Sequence, residues 1–211
     1  MTDPVLATDR LLLRDFEPGD YEAVHAYAAD IEVVRFMSWG PNTEVDTRDF
    51  LERAAESAAA RPRIGYELAV AHLQDGRLLG GIELSLAAED SQQAMLVYCF
   101  SREAWGQGYA TEAAEAMLML GFDVLGLHRV WAGCDSQNTV SAHVLEKIGM
   151  SLEGCMREDV RVRGEWRDTL LFGILENEYK ARLSEQPSRG PLRAVSYLCK
   201  HMRAGLYIIL L

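Results

Sequence analysis

The chain has 211 residues, of which 49% are hydrophobic, and its formal net charge at pH 7 is −11. A chain of this length and composition can bury one substantial core, and the uninterrupted pattern of residues 1–183 predicts a single domain. The negative charge argues against a broad nucleic-acid surface; it is typical of proteins that stay soluble through charge and is compatible with attracting cationic amines or peptides.

Signals for a membrane, for secretion and for a metal are missing from the sequence. No apolar run approaches the roughly 20 residues of a membrane-spanning helix, and Met1–Pro4 lacks the basic and apolar regions of a signal peptide. We therefore expect a cytoplasmic protein without a membrane partner. The cysteines lie far apart without metal-ligand spacing, which predicts reduced thiols and no metal site; they are Cys99, Cys134, Cys155 and Cys199.

The N-terminal part of the chain reads as one strand followed by two helices. A short apolar strand is predicted at Arg10–Arg14, and a helix with proline in its first turn is predicted at Pro18–Ala29. Thr43, with Asp46 three residues later, predicts a capping box that begins a second helix running to about Ala60.

Three strands are predicted next. Tyr66–His72 and Leu78–Leu86 are apolar runs joined by a segment that contains Asp75-Gly76, a strong hairpin signal. A third run, Met95–Phe100, follows. Together they predict an antiparallel meander.

The most informative segment is the glycine-rich turn that follows the meander, Trp105–Glu112. Gly106 and Gly108 leave the backbone free of Cβ atoms, so successive main-chain amides and the start of the next helix can approach a diphosphate. The turn lacks the third glycine and distant acidic residue of a Rossmann fingerprint, and it lacks the lysine of a Walker loop. The sequence therefore predicts a diphosphate ligand of another kind.

The elements after the turn alternate between helix and strand. In chain order the predicted elements are a helix at Thr111–Leu125, a strand at Arg129–Cys134, a helix at Asn138–Ile148 that ends at Gly149, and strands at Ser151–Val160 and Thr169–Leu175 around the turn at Arg163–Trp166. This order predicts an α+β fold with a central mixed, mostly antiparallel sheet that helices cover on both faces.

These motifs together resemble the GNAT acetyltransferases, and within them the RimJ/RimL-like branch. That superfamily's loop is usually written Gln/Arg-x-x-Gly-x-Gly/Ala; here it is Trp105-x-x-Gly108-x-Ala110, with the tryptophan that the RimJ/RimL-like branch often shows. The other matching segments, in the family's order, are Thr8–Arg14, Asn138–Ser141, Glu146–Met150, Glu153-Gly154 and Gly164–Asp168. The resemblance covers roughly Thr8 to Leu183 and implies a GNAT-like sheet and a domain over residues 1–183.

Acetyl-coenzyme A (acetyl-CoA) is the cosubstrate that this resemblance implies. Its pantetheine arm would lie along the strand that ends at Phe100, where a backbone amide could stabilise the oxyanion. The implied cofactor-binding residues are Phe100, Trp105, Gly106, Gln107, Gly108, Tyr109, Ala110, Thr111 and Asn138. Ser141, one helical turn after Asn138, matches a serine that is thought to protonate the leaving thiolate in RimL-like enzymes.

The sequence leaves two candidates for a general base. Glu83 lies in the apolar run Leu78–Leu86 and Glu67 in Tyr66–Val70, so each either projects from the central sheet into an acceptor groove or faces solvent. We take Glu83 as the candidate catalytic base, with Glu67 and a water relay as alternatives.

A primary amine is the acceptor that the resemblance implies. The RimJ/RimL-like branch is associated with N-terminal α-amines of ribosomal proteins, and similar sequences acetylate polyamines, amino acids or aminoglycosides. The aromatic loop at residues 35–41 is either a hydrophobic lid on the helix pair or a wall of the acceptor groove; the candidate substrate-binding residues are Phe36, Trp39 and Trp166. A CoA-binding sensor or interaction module without transferase activity is the alternative from another class.

Residues 184–211 differ in composition from the rest of the chain. Pro187–Pro191 breaks the helical pattern, and the segment ends in an apolar run, Leu206–Leu211. Its charged residues are Arg189, Arg193, Lys200 and Arg203 against Glu185. We expect a C-terminal extension that adds an edge strand, joins a partner subunit in a homodimer, anchors at a membrane or has no function.

Overall fold

The computed structural model describes residues 6–88 and 91–185, which form one eight-stranded sheet and five α-helices. The strands are β1 (Leu6–Ala7), β2 (Leu11–Asp15), β3 (Gly65–His72), β4 (Leu78–Leu86), β5 (Gln93–Phe100), β6 (Arg129–Asp135), β7 (Ser151–Val162) and β8 (Glu165–Leu175). The helices are α1 (Tyr21–Ala28), α2 (Glu44–Ala59), α3 (Tyr109–Met119), α4 (Thr139–Lys147) and α5 (Glu176–Glu185).

The sheet has the order β1-β2-β3-β4-β5-β6-β8-β7. All neighbouring strands are antiparallel except β5 and β6, which run parallel and pair only where Gln93–Met95 meets Arg129–Trp131. The rest of β5, Leu96–Phe100, has no partner strand on its β6 side. The centre of the sheet therefore contains an open cleft between β5 and β6, which we call the β5–β6 cleft.

Helices cover the sheet on both faces, as predicted. Side chains alternate along β3, so that Leu68 packs in a cluster with α3, α4 and α5 while Ala69 packs in a second cluster with α1 and α2. The α+β architecture with a mixed, mostly antiparallel sheet is confirmed.

Several local predictions are also confirmed. The Thr43 side chain accepts a hydrogen bond from the Asp46 amide at the start of α2, and the Asp46 carboxylate accepts one from the Thr43 amide, which completes the capping box. Gly76 adopts a positive φ in the turn between β3 and β4. Asn138 caps α4, and Gly149, with φ of +90°, ends it.

The predicted helix at Thr111–Leu125 differs from the structure at both ends. It begins at Tyr109, directly after Gly108, and its last part, Leu120–Val124, is a π-helical turn rather than α-helix. The wider turn changes the angular spacing of side chains, and Val124 at its end is 47% exposed.

The last hairpin is longer than predicted because both strands continue to its tip. Arg163 and Gly164 form the two-residue turn with φ values of +47° and +90°. Consecutive positive φ values match the right-handed twist of a tight hairpin. Trp166 therefore lies within β8, opposite Arg161, and not in the turn.

The predictions for the C-terminal extension fall largely on residues 186–211, which lie outside the described residues. Helix α5 is the last described element. The boundary between a domain at 1–183 and an extension at 184–211 stays a prediction. Within residues 6–88 and 91–185, no helix is long and apolar enough to cross a membrane.

Candidate active site

The glycine loop, residues 105–111, presents main-chain donors at the start of α3. Gly106 and Gly108 have φ values of +72° and +80°, in the left-handed region that favours glycine. Gly108 occupies the N-cap of α3, and no side chain caps the helix there. The first-turn amides of a helix lack intrahelical partners and form the positive end of its dipole. The glycine loop and the first turn of α3 therefore fit a diphosphate.

Arg10 holds the glycine loop in place. Its guanidinium donates to the Gln107 carbonyl at 3.0 Å, forms an ion pair with Glu112 at 2.6 Å, and lies 4.6 Å from the centre of the Tyr109 ring. Glu112 also lies in the first turn of α3, where the helix dipole favours a negative charge. Trp105 adds a bond from its indole Nε1 to the Phe100 carbonyl, at 2.9 Å. The loop is thereby fixed to β2 and to the end of β5.

Ser141 lies beside the β5–β6 cleft in the first turn of α4. Its amide donates to Asn138 Oδ1 at 3.1 Å, and its hydroxyl oxygen lies 2.9 Å from the Tyr98 hydroxyl of β5. The Tyr98 hydroxyl also donates to the Ser141 carbonyl, at 3.2 Å. The sequence analysis did not identify Tyr98 as a site residue. The signal for it is a hydroxyl within an otherwise apolar strand, two residues before Phe100. The pair connects α4 to β5 across the cleft.

A partly buried ion pair fixes the turn that carries Asn138. Asp135, at the end of β6, accepts bonds from Arg167 Nε at 2.9 Å and Arg167 Nη2 at 3.1 Å. The same carboxylate accepts the Gln137 amide at 2.8 Å, and the Asp135 carbonyl accepts the Asn138 amide. Two strands thus determine where α4 begins, and with it the position of Ser141.

On the opposite face of the sheet, α1, α2 and the aromatic loop enclose a cavity of about 480 Å³, which we call the α1–α2 cavity. Its lining is mixed, and the apolar and aromatic contributors are Phe16, Val24, Tyr27, Ala28, Met37, Trp39, Phe50, Ile82 and Val97. The ionisable residues that line it are Tyr27, Asp46, Arg53, Glu67, Glu83, Tyr98 and Cys99. A volume of this size is typical of small-ligand sites.

Glu67 and Glu83 stand opposite each other on β3 and β4 and both line the α1–α2 cavity. Burial and the neighbouring charge of Glu83 raise the pKa of Glu67 to about 7, and the more weakly acting charge of Arg53 opposes the shift. A carboxyl group with a pKa near neutrality can accept a proton under physiological conditions. The burial and pKa of Glu67 therefore support this residue, the alternative in the sequence analysis, as the candidate general base.

The raised pKa of Glu67 predicts a specific dependence of stability on pH. Between about pH 4.5 and pH 7 the folded chain retains a proton that the unfolded chain has released, so the free energy of unfolding falls as the pH rises. Glu67→Gln should therefore stabilise the protein at pH 8, by at most about 3 kcal/mol, and have little effect at pH 4. Urea unfolding at both pH values measures the difference; an equal effect at the two would contradict the assignment.

The α1–α2 cavity extends to the β5–β6 cleft. Its lining includes Val97, Tyr98 and Cys99, and these residues lie in the part of β5 that has no partner on its β6 side. Tyr98 belongs to both regions, because its hydroxyl contacts Ser141. A ligand in the cavity and a ligand in the cleft would therefore meet at the edge of β5.

The three predicted substrate-binding residues have different positions. Trp39 lines the α1–α2 cavity and is 41% exposed. Phe36 is half-buried, with the Arg35 guanidinium 4.9 Å from the centre of its ring, and it does not contribute to the described cavity lining. Trp166 is 59% exposed on β8, outside that lining.

Arg163 connects the tip of the last hairpin to the aromatic loop. Its guanidinium donates to the carbonyls of Val34 at 2.9 Å, Arg35 at 3.1 Å and Gly40 at 3.2 Å, with a longer bond of 3.5 Å to Met37. A planar guanidinium suits several carbonyls at once. Arg163 is therefore a positioning residue for the wall that carries Trp39, a role that the sequence did not reveal.

Arg163→Ala should loosen this wall and leave the glycine loop intact. We expect the KM of the ligand in the α1–α2 cavity to rise several-fold, since bonds from a charged donor are lost, while the affinity of the β5–β6 cleft for its ligand stays within about twofold. Arg157→Ala, at an exposed position of β7, is the matched control. Equal losses in both variants, or a loss at the cleft alone, would contradict this role.

Comparison with known proteins places this geometry in a family. Residues 10–151 match the family described as Acetyltransferase (GNAT) domain. The chain belongs to the GNAT acetyltransferase family. This GNAT chain is an acetyl-CoA-dependent N-acetyltransferase, its cosubstrate is acetyl-CoA, and its acceptor is an amine. When bound, acetyl-CoA supplies the activated acetyl group as a thioester, and the glycine loop with the β5–β6 cleft fits its diphosphate and pantetheine arm.

Curated relatives match most of the GNAT chain. The uncharacterized N-acetyltransferase YnaD of Bacillus subtilis is 33% identical over 175 residues, which cover 82% of this chain and 98% of that protein. The spermidine N(1)-acetyltransferase of Escherichia coli K12 is 27% identical over 170 residues, 80% of this chain and 88% of that protein.

Solved structures agree with the fold. A GNAT-family acetyltransferase from Bacillus anthracis has a TM-score of 0.73 and 34% identity, and the match covers 82% of this chain and 98% of that chain. RimJ of Mycobacterium smegmatis, in complex with CoA-disulfide, has a TM-score of 0.72 and 22% identity over 88% and 94% of the two chains. Spermidine N-acetyltransferase from Vibrio cholerae, in complex with CoA and spermine, has a TM-score of 0.70 and 21% identity, and the match covers 81% of this chain and 98% of that chain.

Proposed function

We propose that this GNAT enzyme transfers the acetyl group directly from acetyl-CoA to a primary amine bound in the α1–α2 cavity. The observation that carries the proposal is the continuity of the two sites at β5, where residues 97–99 border both the cavity and the open strand edge. An amine that enters the cavity from one side of the sheet thereby reaches the edge of β5 from which the acetyl group would be transferred.

Glu67 is the proposed general base. It accepts one proton from the bound ammonium, and the neutral amine nitrogen then forms a bond to the acetyl carbonyl carbon as the carbon–sulfur bond breaks. Glu83 faces Glu67 across the strand pair and lines the same cavity, so its negative charge both attracts the ammonium and keeps the pKa of Glu67 high. Glu83, our candidate from the sequence, is thus assigned to binding the amine.

Ser141 is the proposed proton donor for the sulfur that leaves. Its hydroxyl gives one proton to the thiolate, and the second proton that the amine releases restores the hydroxyl through water. Tyr98 positions the Ser141 hydroxyl at 2.9 Å, while Asn138 fixes the backbone of the same helical turn.

Ser141→Ala should lower the single-turnover rate about tenfold or more and leave the affinity for acetyl-CoA within about twofold. The conservative comparison is Tyr98→Phe, which removes the positioning hydroxyl and should give a smaller loss. Rapid-quench measurements with saturating acetyl-CoA compare the three proteins. An unchanged single-turnover rate in Ser141→Ala would exclude the serine as the proton donor.

Cys99 supports direct transfer rather than an acetylated enzyme. Its thiol, on β5, lines the α1–α2 cavity where a covalent intermediate would form, but burial raises its pKa to about 12. A thiol that stays protonated at neutral pH is a poor nucleophile. Incubation with acetyl-CoA alone should therefore add no acetyl group to the chain, as measured by intact-protein mass spectrometry, and an acetylated Cys99 would argue against a ternary complex.

Two classes of acceptor fit the α1–α2 cavity. The first class is an N-terminal α-amine of a protein, such as the ribosomal proteins expected from the RimJ/RimL-like resemblance. This acceptor would place one ammonium and one side chain in the cavity, and RimJ is among the structural relatives. A small amine is the second class, and spermidine acetyltransferases are among both kinds of relative. Mass spectrometry of a pooled panel of peptides, polyamines, amino acids and aminoglycosides distinguishes them; CoA binding without any acetylated amine would favour a non-catalytic module.

A further inference from the structure

The lining of the α1–α2 cavity includes an exposed cation, Arg53, whose role the transfer reaction does not explain. Asp46, Phe50 and Arg53 follow one another at helical spacing on α2, and all three line the cavity. Asp46 is occupied in the capping box with Thr43, so its charge serves the helix start. Arg53 is the basic residue among those that line the cavity in the described part of the chain.

Arg53 has no fixed partner among residues 6–88 and 91–185. The hydrogen bonds and ion pairs within those ranges leave its guanidinium unengaged, although it lies close enough for its charge to act on Glu67. If Arg53 served to neutralise the carboxylates, an ion pair with Glu67 or Glu83 would be expected, and the salt bridges of the described chain include neither pair.

We infer that the acceptor carries a carboxylate close to its amine, and that Arg53 binds this carboxylate while Glu67 and Glu83 bind the ammonium. The inference rests on the proposed function, since it names the substrate class of the same cavity. A guanidinium matches a carboxylate in two parallel hydrogen bonds, and this pairing gives both affinity and orientation. Opposite charges on two walls of one cavity are complementary to a zwitterion.

The remaining walls specify the third substituent of the acceptor. Phe16, Val24, Phe50 and Ile82 line the cavity with apolar surface, and Trp39 closes one side. An amino acid with an apolar side chain satisfies the carboxylates, the guanidinium and these walls together. A polyamine would instead place a second cation beside Arg53, which is electrostatically unfavourable.

The experiment compares three acceptors that share one side chain: leucine, leucinamide and isoamylamine, which lacks the carboxyl group. Each is assayed with acetyl-CoA against wild type, Arg53→Gln and Arg48→Gln. Arg48 lies on the same helix, where it forms an ion pair with Glu44, so its substitution removes an equal charge outside the cavity. Dividing the wild-type kcat/KM by the variant value for each acceptor cancels differences in the intrinsic reactivity of the amines.

At a pH well above the titration of Glu67, where losing the Arg53 charge leaves that carboxylate ionised, we expect Arg53→Gln to lower kcat/KM for leucine about tenfold or more and to change the values for leucinamide and isoamylamine less than threefold. Arg48→Gln should leave all three within about twofold. Equal losses for all acceptors in Arg53→Gln, or a wild-type enzyme that acetylates leucinamide or isoamylamine but not leucine, would overturn the inference and leave the proposed transfer standing. If wild type acetylated none of the three but did acetylate another amine of the pooled panel, the inference alone would be overturned. If wild type acetylated no amine at all, the inference and the proposed transfer would both be overturned.

Discussion

Glu67→Gln should lower kcat/KM for the amine about 100-fold to 1,000-fold at pH 7.5, the largest loss that we expect from any single substitution here. Gln keeps the shape of the side chain but cannot accept the proton of the ammonium. In wild type, kcat/KM should rise with pH through a titration near pH 7, the pKa of Glu67, and this limb should be absent in the variant. Steady-state pH profiles of the two proteins with one acceptor measure both effects.

Glu83→Gln is the matched control, because it changes the opposite residue on the neighbouring strand. Removal of its negative charge should lower the pKa of Glu67 and shift the wild-type limb toward acid, with the limb itself retained because burial, the larger cause of the raised pKa, remains. If Glu83→Gln abolished the limb and Glu67→Gln merely shifted it, the roles of the two carboxylates would be exchanged.

Gly108→Asp should reduce the affinity for acetyl-CoA about 100-fold. The new carboxylate would stand at the N-cap of α3, beside the first-turn amides that we assign to the diphosphate, and would repel the negative charges of the ligand. A side chain at φ of +80° also strains the backbone and hinders the close approach of the phosphates. Isothermal titration calorimetry with acetyl-CoA gives the change in Kd.

Gly126→Asp separates this effect from backbone strain. Gly126 has a φ of +66° in the turn before β6, and a Cβ built there meets no atom within 4 Å. Gly108→Asp should lose less stability than Gly126→Asp, because its carboxylate stands at a helix N-terminus and its Cβ lies 3.5 Å from Arg10 Nη2, but only Gly108→Asp should lose affinity. A similar loss of affinity in Gly126→Asp would show that strain, not the blocked cradle, causes the effect.

The glycine loop was predictable because its chemistry is local. Two glycines between a strand and a helix place their amides within a few residues, and the positive φ values of Gly106 and Gly108 follow from the same pattern. The α4 cap was predictable for the same reason, since Asn138 and Ser141 are three residues apart. The general class of reaction follows from these local motifs through their resemblance to the GNAT family.

Contacts between distant segments were not predictable from one sequence. Arg163 binds carbonyls of the aromatic loop more than 120 positions earlier, and Tyr98 meets Ser141 across a cleft between strands. Glu67 shows the same limit, because an alternating strand pattern does not say which face receives α1 and α2. Its raised pKa depends on both that burial and the position of Glu83 on the next strand.

Acetyl transfer by wild type and Glu67→Gln, measured by mass spectrometry with acetyl-CoA and the pooled amine panel, tests the central claim most directly. We predict that wild type transfers the acetyl group to an amine nitrogen at neutral pH. Glu67→Gln should bind acetyl-CoA normally but transfer the acetyl group at least 100-fold more slowly. Equal transfer by the two proteins would contradict the α1–α2 cavity as the site of proton removal. The absence of any acetylated amine with wild type, despite intact acetyl-CoA binding, would contradict the assignment of an amine acceptor from this panel.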